Sequence, residues 1–198
     1  MSGALKPVLP DPLSKVTTAL QAQIAALFPP ASFELRMVPA ALTVKSWSEL
    51  FRRGPWVGLG WGGFTATGSL PTGGASGTAR YSLFLAVKNA KGPAERYFGD
   101  AVGIGLMPMV SVAVGGLHRW KMPGVGSVLV SKVDHGALDG ADESIAMAAI
   151  DLEVGGVALD VAGGIGGFTV GDFQKLAATY VENGETLVAD NYPVGNWS

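Results

Sequence analysis

The stretch that most limits what this chain can fold into is residues 78–117. TARYSLFLAVKNAKGPAERYFGDAVGIGLMPMVSVAVGGL reads as one alternating strand, a polar turn and a long apolar helix. Tyr81, Leu83, Leu85 and Val87 fall on one face of the strand, while Arg80, Ser82, Phe84, Ala86 and Lys88 take the other. That is the period-two pattern of a half-buried strand. Gly92-Pro93 opens the helix, with Glu95 in a first turn that favours negative charge. Tyr97, Phe98, Ala101, Val102 and Ile104 or Gly105 continue an apolar face, and Pro108 is expected to kink or end it. A helix this apolar needs cover from a sheet, from partner subunits or from lipid.

Composition sharpens that demand. Of the 198 residues, 48% are hydrophobic and only 15% charged, where about a quarter charged is usual. Mean hydropathy is +0.32. Assembly into something larger is the economical way to cover so much apolar surface. The formal net charge of −2 gives no basic excess for nucleic-acid binding as the main activity. Without cysteine there are no disulfides, thiolates or Cys-ligated metals. The opening MSGALKPVLPDP lacks the apolar core of a signal peptide. Residues 101–117 are an uncharged run of 17, at the lower edge of a membrane span. Its four glycines and Pro108 do not exclude a span, but it lacks flanking clusters of Lys and Arg, and one marginal span in an otherwise globular pattern favours a buried helix, so no membrane association is expected.

Elsewhere the punctuation is clear. Asp11-Pro12 starts an amphipathic helix carrying Leu13, Val16, Leu20, Ile24 and Leu27, and Pro29-Pro30 stops it. Phe33, Leu35 and Met37 alternate with Glu34 and Arg36 as a strand. A second helix is expected over 43–53, with Val44, Trp47, Leu50 and Phe51 on one face and Thr43 or a Ser46/Glu49 capping box at its start. In 56–66, Val57, Leu59 and Trp61 take one face and Gly58, Gly60 and Gly62 the other. Glycine weakens a strand, so close approach of another backbone is the expected reason for the row. A loop at 69–77 joins this strand to that at 78–88 as a hairpin. Further strands are read at 125–133 and 144–154, the latter ending near Gly155-Gly156, then a glycine-rich stretch to 171 and a short helix over roughly 171–182. The order predicts one α+β domain over 1–198, with a mostly antiparallel sheet of about four to five strands packed by helices, a flexible N-terminus (1–10) and an extended tail (183–198).

Motifs of catalysis do not emerge. GGIGGF at 163–168 lacks the spacing of a dinucleotide loop and has no Walker lysine. DHGALDGADE, with His135 beside Asp134, Asp139, Asp142 and Glu143, departs from the EF-hand ligand order and reads as a solvated acidic loop. No Gly-x-Ser-x-Gly elbow occurs, and two histidines leave a distant triad little room. LHRWKMPG at 117–124 mixes basic and aromatic residues. A phosphate or base contact is one reading, but Arg and Trp also suit protein interfaces, which the absence of a basic excess favours. No enzyme activity, catalytic residue, metal or cofactor is expected; the candidate interface residues are Arg52, Arg53, Arg119, Trp120 and Trp197.

With the elements in order, most of the chain resembles the tail terminator proteins of tailed bacteriophages, in particular the Mu-like family of small tail proteins. The resemblance rests on the helix at 11–28, RRGPWVGLGW (52–61), RYSLFLAVKNAKG (80–92), the AERYFGDAVGIGL helix and the strands at 125–133 and 144–154. It implies a small structural protein of the virion tail and neck, present in host cytoplasm during assembly. Such a protein forms a homo-hexameric ring that caps the tail-tube protein, ends polymerisation and offers a joining surface to a head-completion or stopper protein. DNA passes through the lumen without specific binding. Three other readings stay open: a different neck or minor tail protein, a ligand- or nucleotide-binding module using 155–171, and a membrane-associated protein using 101–117.

Overall fold

The computed structural model describes residues 12–38, 55–71, 73–135 and 144–160, with two short strands at 181–182 and 185–186. The chain divides into two compact units, Met1–Asp160 and Val161–Ser198. In the described part of the first, the order is α1 (Pro12–Leu27), β1 (Glu34–Val38), β2 (Trp56–Ser69), β3 (Ala75–Lys88), α2 (Pro93–Phe98), α3 (Leu106–Leu117), β4 (Lys121–Met122), β5 (Gly126–His135) and β6 (Ile145–Leu159). The second unit contributes the hairpin of β7 (Val181–Glu182) and β8 (Glu185–Thr186).

The fold is α+β, as the alternation of patterns predicts. Six strands form one sheet in the order β1-β2-β3-β6-β5-β4, one more than the sequence suggests. Only β1 and β2 run parallel; every other neighbour is antiparallel. The expected helix at 43–53, the glycine-rich stretch beyond Asp160 and the tail lie outside the described residues. So does most of the helix expected over 171–182, whose last two residues are instead strand β7.

One face of the sheet carries the main core. Tyr81, Leu83, Leu85 and Val87 of β3 are buried, as their alternation requires. They join Val57 and Leu59 of β2, Ile150, Leu152 and Val154 of β6, Val16, Leu20, Ile24 and Phe28 in and after α1, and Leu106, Met109, Ala113 and Leu117 of α3. Each fully buried aliphatic side chain stabilises by roughly 1.5–3 kcal/mol. The two helices meet closely: a β-carbon at Gly116 would fall 2.4 Å from Leu27 Cδ2, and Gln23 Nε2 donates to the Gly116 carbonyl at 3.2 Å. Among the described residues no helix is long and apolar enough to cross a membrane.

The opposite face holds a second, smaller cluster of Val38, Trp56, Ala86 and Met147. Here the glycine row has its explanation. Gly58 faces this cluster, and a β-carbon on it would fall 2.2 Å from Cη2 of Trp56. An indole laid along its own strand, not an approaching backbone, demands glycine at 58. At Gly62 the near neighbour is backbone, the Arg80 carbonyl at 3.3 Å. α3 therefore does not cover the glycine row; it packs on the other face.

The expected long helix is two. α2 ends at Phe98, and α3 begins only at Leu106. Gly99 takes φ +84°, which glycine tolerates and an L-residue resists. Gly99 also pairs with Ile104 across the turn. Pro108 consequently sits in the first turn of α3, where a missing N–H costs nothing, and neither kinks nor ends a helix. Two further boundaries differ. β3 starts at Ala75, which shortens the hairpin loop from the expected 69–77 to 70–74. β6 does not stop at Gly155-Gly156 but runs to Leu159. The register shifts there, between Gly77 and Ala79 of β3, and Gly156 has φ +77°. A bulge lets the strand absorb the glycine pair and continue.

Candidate functional site

No described cluster has the makeup of a catalytic or metal centre, and no group of three or more His, Asp or Glu among the described residues is placed to hold an ion. The two histidines are separately engaged. His118 Nδ1 accepts the Val130 N–H at 3.3 Å. The His135 ring hydrogen-bonds through Nε2 to the Tyr97 hydroxyl, with ring centroids 5.7 Å apart. Among the described residues, three surface features stand out.

The first lies at the α2–α3 junction. Asp100 organises the turn. Its Oδ1 accepts the N–H groups of Val102 at 2.8 Å and Gly103 at 2.9 Å. Its Oδ2 accepts from Lys91 Nζ at 2.6 Å and from Asn89 Nδ2 at 3.5 Å. The Lys91 ammonium, then the two backbone donors, hold the Asp100 carboxyl far below the usual carboxylate range, and Asp100 in turn raises Lys91. The turn's charge is thus neutralised locally, while its apolar residues face water: Val102 is 88% exposed and Phe98 71%. Ile104, Met107 and Val112 are exposed as well, so five of the nine large exposed hydrophobics among the described residues fall between 98 and 112. An internally bonded turn that holds apolar groups in solvent has the character of an interaction surface. α3 has no charged residue on any side.

The second feature is the pair of sheet margins. β1 pairs with β2 only as far as Val38 opposite Gly60. From Trp61 to Ser69, β2 has β3 on one side and no described strand on the other. Trp61 stands opposite Tyr81, on the core face as expected, but it is half exposed, unlike Val57 and Leu59. This margin has no charge and no proline, the usual devices that keep an edge from pairing. At the far side β4 covers only Gly126 and Ser127 of β5. Beyond Val130, β5 has no described partner on its outer side. There Lys132 and Asp134 pair with each other at 2.6 Å, and Leu129 and Val133 are exposed.

The third is the turn from α3 into β4. Arg119 is the one described non-glycine residue with positive φ, +61°, a conformation that costs an L-residue roughly 1–2 kcal/mol. The turn is firmly held: Arg119 N donates to the Val128 carbonyl at 2.8 Å, Trp120 N to Leu117 at 3.1 Å, and Val128 N to Trp120 at 2.9 Å. The Arg119 and Lys121 side chains are exposed, whereas the Trp120 indole is half-buried against the main core. Of the residues the sequence nominates, the structure thus brings Arg119 and Trp120 together, one presented outward and one anchoring the turn. Arg52, Arg53 and Trp197 lie outside the described residues. Sequence reasoning missed the Phe98–Val112 surface because it joined α2 and α3 into one buried helix. The Gly99-Asp100 step was the available signal, an Asp that caps its own turn.

No protein-family model matches this chain, and no curated protein does.

Proposed function

We propose that this chain is a structural subunit of a phage tail, forming a closed ring that caps the tail tube, ends its polymerisation and presents the head-joining surface. The observation that carries the reading is the pair of unlike sheet margins that have no strand neighbour among the described residues, Trp61–Ser69 of β2 and the outer side of β5, on opposite sides of one sheet. A ring is built from heterologous contacts, in which one surface of a subunit meets a different surface of the next. Two distinct margins, each without a strand neighbour among the described residues, suit that arrangement, and an isologous dimer would use only one. The solvent-facing apolar residues Phe98, Val102 and Met107 add a further surface for the tube or a neck protein. The family resemblance supplies the tail context. Native mass spectrometry of the purified protein, alone and with tail tubes, tests the reading. It expects one closed oligomer, six copies by the resemblance, and stoichiometric capture at tube ends. A monomer that ignores tube ends would defeat it.

A further inference from the structure

The two sheet margins without a described neighbour match each other in charge, direction and extent. β1 ends with Val38 opposite Gly60, so the margin of β2 begins at Trp61. Thr65 to Ser69 are exposed, and no residue from Trp56 to Ala79 is charged. On the far side, the outer backbone of β5 is occupied near its start. β4 pairs with Gly126 and Ser127, the α3–β4 turn bonds Val128, and His118 takes the Val130 N–H. From Ser131 to His135 every residue is exposed. Lys132 and Asp134 neutralise each other there, so no net charge opposes an uncharged strand. β1, by contrast, carries the Glu34–Arg36 ion pair, a charge device that guards an edge.

β2 and β5 run in opposite directions, because three antiparallel pairings separate them. Identical copies set side by side in one orientation therefore bring β2 antiparallel to β5 of the next. The margins also lie at different levels. Through β3, Phe64 is level with Val154 of β6, whereas Val133 is level with Ile150. Joining Phe64 to Val133 shifts each copy along its strands by about four residues, roughly 13 Å. The four strands that repeat from copy to copy span roughly 19 Å across. A shift of that size over that width inclines the strands by about 35°, a tilt at which a sheet closes on itself.

We propose that the β2 margin of one copy adds as an antiparallel strand to the Ser131–His135 margin of a second copy, with Phe64 opposite Val133 and Thr65 opposite Lys132. The contact rests on the ring reading above and names the strands, register and shift that form it. Faces fix the register, since a slip of one residue exchanges them. Trp61 and Phe64 stand on the core face, as do Val133 and His135; Thr65 and Lys132 stand on the other. Trp61, 51% exposed, then lies beside the neighbour's His135, which Tyr97 of α2 holds. His135 is the last residue of β5 and Trp61 the first past β1, so the added strand stops where β1 begins.

The chain has no cysteine, so introduced pairs report on this contact alone. Within one copy, two strands stand between Thr65 and Lys132, a separation of roughly 14 Å that no disulfide spans. In Thr65→Cys/Lys132→Cys, mild oxidation is expected to join copies at least tenfold faster than in either single variant, as a ladder ending in one closed covalent oligomer. Thr65→Cys/Val133→Cys places its thiols on opposite faces and should cross-link at least tenfold more slowly. Trp61→Lys should weaken self-association in sedimentation at least tenfold, with the melting temperature within a few degrees of the parent. A Thr65→Cys/Lys132→Cys chain that associates without cross-linking overturns the contact and leaves the ring reading standing. So does association of Trp61→Lys at wild-type strength. Equally fast cross-linking of Thr65→Cys alone means that like margins meet, and overturns the contact too. A wild-type chain that stays monomeric overturns the ring reading, and this contact with it.

Discussion

The indole of Trp56 lies across Gly58, so close that a β-carbon there would stand 2.2 Å from Cη2 and 2.6 Å from Val38 Cγ2. One strand thereby packs its own tryptophan flat on the sheet. Gly58→Ala should force the buried ring aside and destabilise the fold by about 1–3 kcal/mol, the usual range for overpacking. Gly60 is the control. A β-carbon there meets Phe84 Cε2 at 3.4 Å, so Gly60→Ala should be close to neutral. Urea midpoints of the two variants give the comparison, and equal losses would refute the indole explanation.

The Asp100 turn predicts an acid response. Its carboxyl is depressed by Lys91 and two backbone N–H groups, so its stabilisation is complete above the unfolded pKa of about 3.9. It is lost as pH falls from there toward the lower folded value. Asp100→Asn should therefore lower stability at pH 7 but show a shallower loss between pH 5 and 2 than the parent. Parallel slopes would mean that Asp100 makes no such contribution.

Thr17 Oγ1 on α1 and the Tyr81 hydroxyl on β3 lie 2.9 Å apart and tie helix to sheet inside the core margin. Tyr81→Phe and Thr17→Val should each cost about 1 kcal/mol, and a double-mutant cycle should recover a coupling of similar size. Additive losses would mean that the bond contributes nothing.

The apolar α2–α3 junction predicts a separation of fold from association. Phe98 and Val102 contribute little to the core at their exposures, so Phe98→Glu/Val102→Glu should leave the melting temperature within a few degrees. Binding to tube ends should fall, because charge would replace an apolar contact. A large loss of thermal stability would show instead that the junction is structural.

How far the sequence led can be seen residue by residue. The alternation of Tyr81, Leu83, Leu85 and Val87 named the buried face of β3, and the steps from Val16 to Ile24 named that of α1, because both report which side faces the core. Periodicity does not report whether cover is present, which is why Trp61 follows the pattern of Val57 and Leu59 yet is half exposed. Nor did it reveal the break at Gly99, since apolar spacing continues through a turn closed by the Asp100 side chain. Gly156 likewise looked like a strand end and is a bulge, a distinction set by β3 on the neighbouring side of the sheet. Of the candidate surface, Arg119 was legible from LHRWKMPG, but its left-handed backbone depends on bonds to β5. The margins without a described neighbour depend on strand order, which no local pattern encodes.

The ring is the central claim, and native mass spectrometry of the wild-type protein at micromolar concentration, followed by electron microscopy with tail tubes, tests it most directly. The account predicts a single closed oligomer, six copies, seated at tube ends. A monomer at every concentration with no density at tube ends would contradict it.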